Sequence, residues 1–447
     1  MAAEPSENPS AEVSAPESAG LSHAWRALRH RNFRLFFGGQ TISLIGTWMT
    51  RVATSWLVYR LTKSSLLLGT VGFAGQIPTF LLAPLAGVIV DRMDRRKVLV
   101  WTQSLAMVQS LLLAWLTLSH RINITEILIL SACQGVINAF DMPGRQSFMI
   151  RMVEDRGDLS NAIAINSSMV NAARLLGPSL AGMLIAVTNE GWCFFVDGVS
   201  YIAVIASLLM MRLSREQMQR TGATMVQQLR EGWVYVAESV PIRSILLLFA
   251  LISLMGWPFM VLMPIFAAQV LHGGPHTLGF LLGASGVGAL ISAVSLALRK
   301  TVRGLTTMIQ LSAALFGLGL IGFGLSRFFA LSLLLMLIVG FGMMQGMAAS
   351  NTVIQTLVPD DKRGRVMSFY TMAFMGMAPF GSLLAGSLAH RFGAPHAVMI
   401  TGAFCVAGSI WFTTQLKSIR QVMRPIYIEL GIIRSTLEPA MEDQVGS

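Results

Sequence analysis

Three ionisable side chains stand where water is scarce. Arg51, Arg174 and Asp197 each fall inside a long apolar run of this 447-residue chain. A charge at membrane depth is costly unless it faces a cavity, a partner or a ligand. Either arginine can hold a substrate or couple two bodies; snorkelling or simple structural pairing is the plainer alternative. Asp197 can load and release a proton, or serve as an interface acid or an arginine's partner. Gln76, Gln134, Asn166, Asn171 and Gln345 offer amide hydrogen bonds at similar depth, to a solute in a cavity or between helices. The chemistry this set suggests is non-covalent: holding an amphipathic small molecule and moving it. There is no Gly-rich loop ending in Gly-Lys-Ser/Thr, no HExxH, no histidine cluster and no GxSxG with triad partners. No catalytic residue, metal site or cofactor is therefore expected.

The elements that must position these residues are legible from composition. Hydrophobic residues make up 54% of the chain and Asp, Glu, Lys and Arg only 12%, about half the charged share of a soluble domain. Mean hydropathy is +0.63. The net charge of +11 lies between apolar runs rather than along one face, which argues for membrane topology and against a nucleic-acid partner. Cys133, Cys193 and Cys405 are far apart and form no disulfide framework.

Runs long enough to cross a bilayer core, about 20 residues each, fall at 33–61, 66–90, 98–118, 124–143, 159–187, 192–212, 242–268, 277–298, 305–325, 329–351, 363–389 and 394–416. The expected fold is an all-α membrane protein of twelve transmembrane helices in two six-helix bundles. Segment 1–23 reads as a disordered cytoplasmic tail, 24–212 as the first bundle, 213–241 as a cytoplasmic linker, 242–416 as the second bundle and 417–447 as a cytoplasmic tail. Within the linker, 225–237 has helical apolar spacing and is expected to form an amphipathic surface helix. On one side of the alternating loops stand only Arg60, Lys63, Arg121, Arg327 and Arg391, while 26 of the 33 Lys and Arg residues fall on the opposite side. That bias places both termini in the cytoplasm.

The halves repeat. Leu176-Gly-Pro-Ser-Leu-Ala-Gly182 matches Phe380-Gly-Ser-Leu-Leu-Ala-Gly386, each with glycines at equivalent positions, 177/182 and 381/386. Parallel halves holding a substrate near the midplane between them are one transporter architecture.

Residues 87–97, Gly-Val-Ile-Val-Asp-Arg-Met-Asp-Arg-Arg-Lys, resemble the G-x-x-x-D-R-x-G-R-R loop motif of the major facilitator superfamily, with Asp94 where that family usually has Gly. The stretch from Ser43-Leu-Ile-Gly-Thr-Trp48 to Ser64 is similar to the branch containing enterobactin exporters and macrolide-efflux-type proteins. The resemblance implies a conformational latch built from Gly87, Asp91, Arg92, Arg95 and Arg96, with Asp141 placed to pair with Arg95 or Arg96; the plainer reading is positive charge serving topology alone. It also implies a fifth-helix motif, Arg174, Gly177, Pro178 and Gly182, whose glycines permit close approach and whose proline removes a helix hydrogen bond.

The function implied is a secondary active exporter of drug- or siderophore-like molecules. It would sit in a bacterial cytoplasmic (inner) membrane, work by alternating access coupled to proton entry, and act as a monomer. A lysophospholipid flippase or uptake carrier on the same fold is the alternative, with Arg51 and Arg174 suited to phosphate. A non-transporting receptor or scaffold is the third.

Overall fold

The computed structural model describes residues 26–153, 155–212, 225–299 and 301–429, and among them there is no strand. A short 3-10 turn, Arg26–Arg29, leads into α1 (Arg31–Thr62), α2 (Ser65–Asp91), α3 (Arg95–Leu118), α4 (Ile124–Met152), α5 (Leu159–Val187) and α6 (Glu190–Met210). Then come α7 (Met225–Glu238), α8 (Val240–Leu251), α9 (Phe259–Ile265), α10 (Pro275–Ala297), α11 (Leu305–Leu325), α12 (Phe329–Leu357), α13 (Asp360–Met375), α14 (Ala378–Phe392) and α15 (Ala394–Glu429).

Local chemistry sets several helix starts. Ser64 accepts from the Leu67 amide at 3.3 Å to open α2. Asn123 and Glu126 cap α4 reciprocally, at 3.1 and 3.0 Å. Asp94 caps α3 by accepting from the Arg96 amide at 2.9 Å. Its φ of −64° is ordinary for an L-residue, which explains how a capping acid can replace the glycine of the family pattern.

Eleven stretches among the described residues are helical, long and apolar enough to cross a membrane. The eleven do not include α1. It is 32 residues long, but Arg31, Arg34, Arg51 and Arg60 dilute its apolar character.

Two expected spans are interrupted. The seventh, at 242–268, is α8 and α9 joined by a π segment, Ile252–Gly256, with a second π segment, Phe266–Val270, after α9. The Trp257 amide bonds to the Ile252 carbonyl and the Leu271 amide to the Phe266 carbonyl, both at 2.9 Å. Pro258 and Pro264 lack the amides that would hold an unbroken α register. The eleventh, at 363–389, is split into α13 and α14 just before Pro379.

Three expected ends are corrected. The fourth span does not stop at Pro143 but runs on to Met152, the tenth continues to Leu357, and the last continues to Glu429, so the first part of the expected tail 417–447 is helical. The linker helix is observed as α7. It docks on α13 through the Glu231–Arg365 ion pair, Trp233 against Phe369 at 6.0 Å, and Lys362 over the Tyr235 ring at 4.7 Å. The expected tail 1–23 lies outside the described residues.

Side-chain contacts define two ends of the molecule. At the charged end, Arg29 and His30 both reach Asp158 at 2.9 Å. Asn32 donates to the Arg212 carbonyl at 2.8 Å, and Arg96 to the Leu209 carbonyl at 2.6 Å. With Arg31, which donates to the Met210 carbonyl at 3.1 Å, Arg96 brings positive charge to the carboxy-terminal end of α6, where its free carbonyls point. At the far end, Arg60 grips Glu190 with two bonds, 2.7 and 3.0 Å.

Helices α1–α6 form one group and α8–α15 another, joined mainly by two crossings, α2 with α14 and α5 with α10. The crossings share one geometry. A Cβ placed on Gly69 would stand 2.6 Å from the Ser382 carbonyl and 3.0 Å from the Gly386 Cα; one on Gly279 would stand 2.6 Å from the Pro178 carbonyl and 3.0 Å from the Gly182 Cα. Both crossings lie toward the far end. About five helical turns past Gly69 on the same face of α2, toward the charged end, a Cβ on Gly87 would meet nothing within 4 Å. The groups splay there, and the cleft between them opens toward the charged end.

Candidate substrate cleft

The cleft takes its chemistry from α1, α5, the turn that follows the first π segment, and α12. Gly177 brings α5 against Trp48 of α1: a Cβ there would meet the Trp48 side chain and, at 3.0 Å, the Ile45 carbonyl. That approach turns Arg174 toward the other group. Its guanidinium lies 5.9 Å from the Trp48 ring and 5.4 Å from the Trp257 ring, and 3.7 Å from the Met343 sulfur. Arg51, one helical turn beyond Trp48, lies over the same indole at 4.8 Å. Each cation–π contact contributes on the order of 0.5–2 kcal/mol. Trp257 continues into an aromatic wall through Phe374, at 5.1 Å. A small apolar pocket lined by Phe249, Ile252, Phe316, Met343, Gly346 and Phe374 lies behind it.

Asp197 is not the partner of either arginine. It is buried between α1, α3 and α6, where one oxygen accepts from Thr50 at 2.8 Å and from Ser110 at 3.0 Å. Its other oxygen has no hydrogen-bond partner. Thr50 adjoins Arg51, so a single turn of α1 touches both the acid and the cleft.

The residues expected to form the latch take separate places. Asp141 is 4% exposed. It accepts from Thr102 at 2.9 Å and Gln103 at 2.7 Å, and it pairs with Arg145 one turn along its own helix. Arg96 turns instead to the α6 terminus, so the expected Arg96–Asp141 pair is not formed in this conformation. Arg95 opens α3, Arg92 is exposed just past α2, and Gly87 faces open space. The Asp91 side chain lies outside the described residues.

The amides divide. Gln76 bridges the two groups, donating to the Ser382 hydroxyl at 3.2 Å as well as to the Gly72 carbonyl at 3.0 Å. Gln134 donates to Asn138 at 3.2 Å and Asn171 to the Ser167 carbonyl at 2.9 Å, both within one helix. Asn166 is half-buried on α5. Gln345 is 2% exposed and accepts from Ser292 at 2.6 Å, which places it inside the second group rather than on the cleft. In the fifth-helix motif Gly177 serves packing within its group, and Pro178 and Gly182 form the crossing with α10.

Trp48, Trp257 and Met343 were not among the residues singled out from sequence. Their equivalence emerges only from the packing of the two halves. Gly177 meets the Ile45 carbonyl and Gly381 the Leu254 carbonyl; Trp48 and Trp257 each follow three residues later, at equivalent places in the two halves.

The sequence profile described as "Transmembrane secretion effector" matches residues 22–425. The staphyloferrin A transporter of Staphylococcus aureus is 26% identical over 393 residues, covering 87% of this chain and 97% of that protein. Macrolide efflux protein A of Streptococcus pyogenes is 21% identical over 391 residues, 85% and 96%. Multidrug efflux pump Tap of Mycolicibacterium fortuitum is 25% identical over 366 residues, 79% and 88%. Among solved structures, a POT family transporter in complex with 5-aminolevulinic acid superposes with a TM-score of 0.71 at 12% identity, covering 87% of this chain and 96% of that one. A bacterial homologue of the human lysosomal transporter Spinster, inward-facing and unoccupied, gives 0.68 at 13% identity, covering 88% and 98%. These likenesses show a shared fold. With its helical spans, its two crossed groups and the profile match along most of its length, this chain belongs to the transmembrane secretion effector family of major facilitator transporters, and is a multi-pass membrane transporter and not an enzyme.

Proposed function

We propose that this chain is a secondary active exporter of small amphipathic molecules, drug- or siderophore-like, working by alternating access across a bacterial cytoplasmic membrane with proton entry as the driving step. The observation that carries the reading is the cleft itself: two cations and two tryptophans at the seam of two helix groups that meet toward one end and splay toward the other. Such a seam can present its contents to each side in turn by rocking of the groups. The names of the relatives, a siderophore transporter and two efflux proteins, support export of this class of solute.

In this reading α1 is a twelfth span. Its charged residues Arg31 and Arg34 sit at one end and Arg60 at the other, leaving Arg51 as the charge inside. Six helices then fall in each bundle, and the charge bias sets both termini in the cytoplasm. Asp197 carries the proton, and Thr50 relays its state to Arg51 along the same turn of α1.

The test uses proteoliposomes holding the full chain and a panel of amphipathic dyes of both charges. A proton gradient should drive dye movement, and Asp197→Asn should lower gradient-driven movement by at least about tenfold, the scale of losing one coupling group. Movement that ignores the gradient would defeat proton coupling. No movement beyond protein-free vesicles would defeat the exporter reading.

A further inference from the structure

We propose that the transported solute is an anion, bearing a carboxylate or phosphate on an apolar or aromatic body, and that Arg51 and Arg174 clamp its charged group between Trp48 and Trp257. The inference rests on the exporter reading and narrows its substrate class.

The argument is a charge inventory. Every membrane-depth carboxylate among the described residues is already engaged elsewhere. Asp141 holds Thr102, Gln103 and Arg145; Glu190 holds Arg60; Asp197 is held by Thr50 and Ser110. The second half offers none: between 239 and 359 there is no Asp or Glu, and none between 362 and 428. The wall that Arg174 faces across the seam is Trp257, Met343 and Phe374. Two guanidiniums thus share one indole, and among the described residues no carboxylate pairs with either. Two like charges drawn to one ring repel, so the arrangement favours any occupant that brings negative charge. Guanidinium matches carboxylate and phosphate with paired, fixed hydrogen bonds.

The rest of the cleft defines the body of the occupant. Indole faces, the Met343 thioether and the apolar pocket behind Phe374 accept flat or aliphatic groups of varied outline. The anion then fixes orientation, and the adaptable wall tolerates variation beyond it. A purely cationic drug meets two fixed positive charges at the seam.

The chemistry has two sources, a soluble organic acid or a lipid headgroup, and one experiment separates them. Full-length protein in phosphatidylcholine nanodiscs is titrated into carboxyfluorescein, an aromatic polyanion, and binding is read by anisotropy. Citrate and lysophosphatidylglycerol serve as competitors, and rhodamine 6G as a cationic probe of similar shape. Carboxyfluorescein should bind. Arg174→Gln and Arg51→Gln should each weaken it at least about tenfold, the loss of one charge-assisted pair. Arg174→Lys should recover part of the affinity, and Arg391→Gln, exposed in the last turn of α14, should change nothing. Displacement by citrate assigns a soluble acid, and displacement by lysophosphatidylglycerol assigns a lipid; either supports the anion clamp. Rhodamine 6G binding as tightly as carboxyfluorescein, or Gln variants that elute as native monodisperse protein and bind undiminished, would overturn it. Binding is read without transport, so the outcomes separate. Anion binding without gradient-driven movement sinks the exporter reading alone. Gradient-driven movement of cations, indifferent to both arginines, sinks the clamp alone.

Discussion

Asp158 shows how one carboxylate can pin a segment outside the membrane. It is 2% exposed. The hydrogen bond from His30, with the Arg29 and Arg26 guanidiniums beside it, holds its carboxyl below the usual carboxylate range. A depressed carboxyl stabilises the folded form above the unfolded value, about 3.9, and that stabilisation is lost as pH falls through the folded value. The Ala27 amide, which donates to Asn161 at 2.9 Å, reports on the same clamp. Its hydrogen-exchange protection should hold from neutral pH to about pH 4 and fall below that, while Asp158→Asn should lose protection throughout. Protection that is unchanged down to pH 3 would show that something else pins the segment. None of this cluster was legible in sequence, because Asp158 stands 128 residues from His30 and its neighbours Arg26 and Arg29, and all four look like ordinary loop charges. Arg51, Arg174 and Asp197 were legible, because a charge inside an apolar run is conspicuous wherever it points. The tryptophans beside them were not: an aromatic residue in an apolar run carries no signal until its depth and face are known.

At the scale of elements, the two glycine crossings are the joints of the molecule. Gly182 and Gly386 hold the same place in the repeat, and each meets the other group at a backbone distance that leaves no room for a Cβ. Adding a methyl there overpacks the crossing by about 1–3 kcal/mol, a penalty felt only while the far end is closed. Gly182→Ala and Gly386→Ala should therefore shift the population toward conformers open at that end. Spin labels at Val187 and His272, exposed on opposite groups, should report a larger fraction of long distances. Gly38→Ala, where nothing lies within 4 Å, should leave the distribution alone, and so should the crossing variants if the far end never opens. The glycine pair 177/182 and its copy 381/386 were visible as a sequence repeat, but Gly69 was not, since its partner lies in the other half. The spans themselves were largely legible from hydropathy. Their interruptions were not, because a π segment changes which amide meets which carbonyl without changing side-chain character. The extension of α4 through Pro143 shows the converse: a proline that would end a helix in water is tolerated inside a packed membrane bundle.

For the whole molecule, the asymmetry between a closed far end and a splayed charged end sets a condition on any cycle through the proposed exporter. If substrate leaves through the far end, α2 and α14 must part there at least once per turnover. Gly72 and Ser382 offer a way to forbid it. A Cβ on Gly72 would lie 3.1 Å from the Ser382 Cβ, a few tenths of an ångström inside the span of about 3.5–4.5 Å that a disulfide bridges. Gly72→Cys with Ser382→Cys, in a chain whose Cys133, Cys193 and Cys405 are replaced by Ala, should therefore cross-link on oxidation with little backbone movement. Gradient-driven export should stop in the oxidised protein and return with a reductant. Binding of carboxyfluorescein, reached from the splayed end, should stay within roughly threefold of the reduced protein, because locking the seam removes a motion and not the cleft. Loss of both together would mean that the cleft forms only in a conformation the bond excludes. Export at an undiminished rate through a fully cross-linked protein would mean that the groups do not separate at this seam, and the rocking mechanism would fail with it.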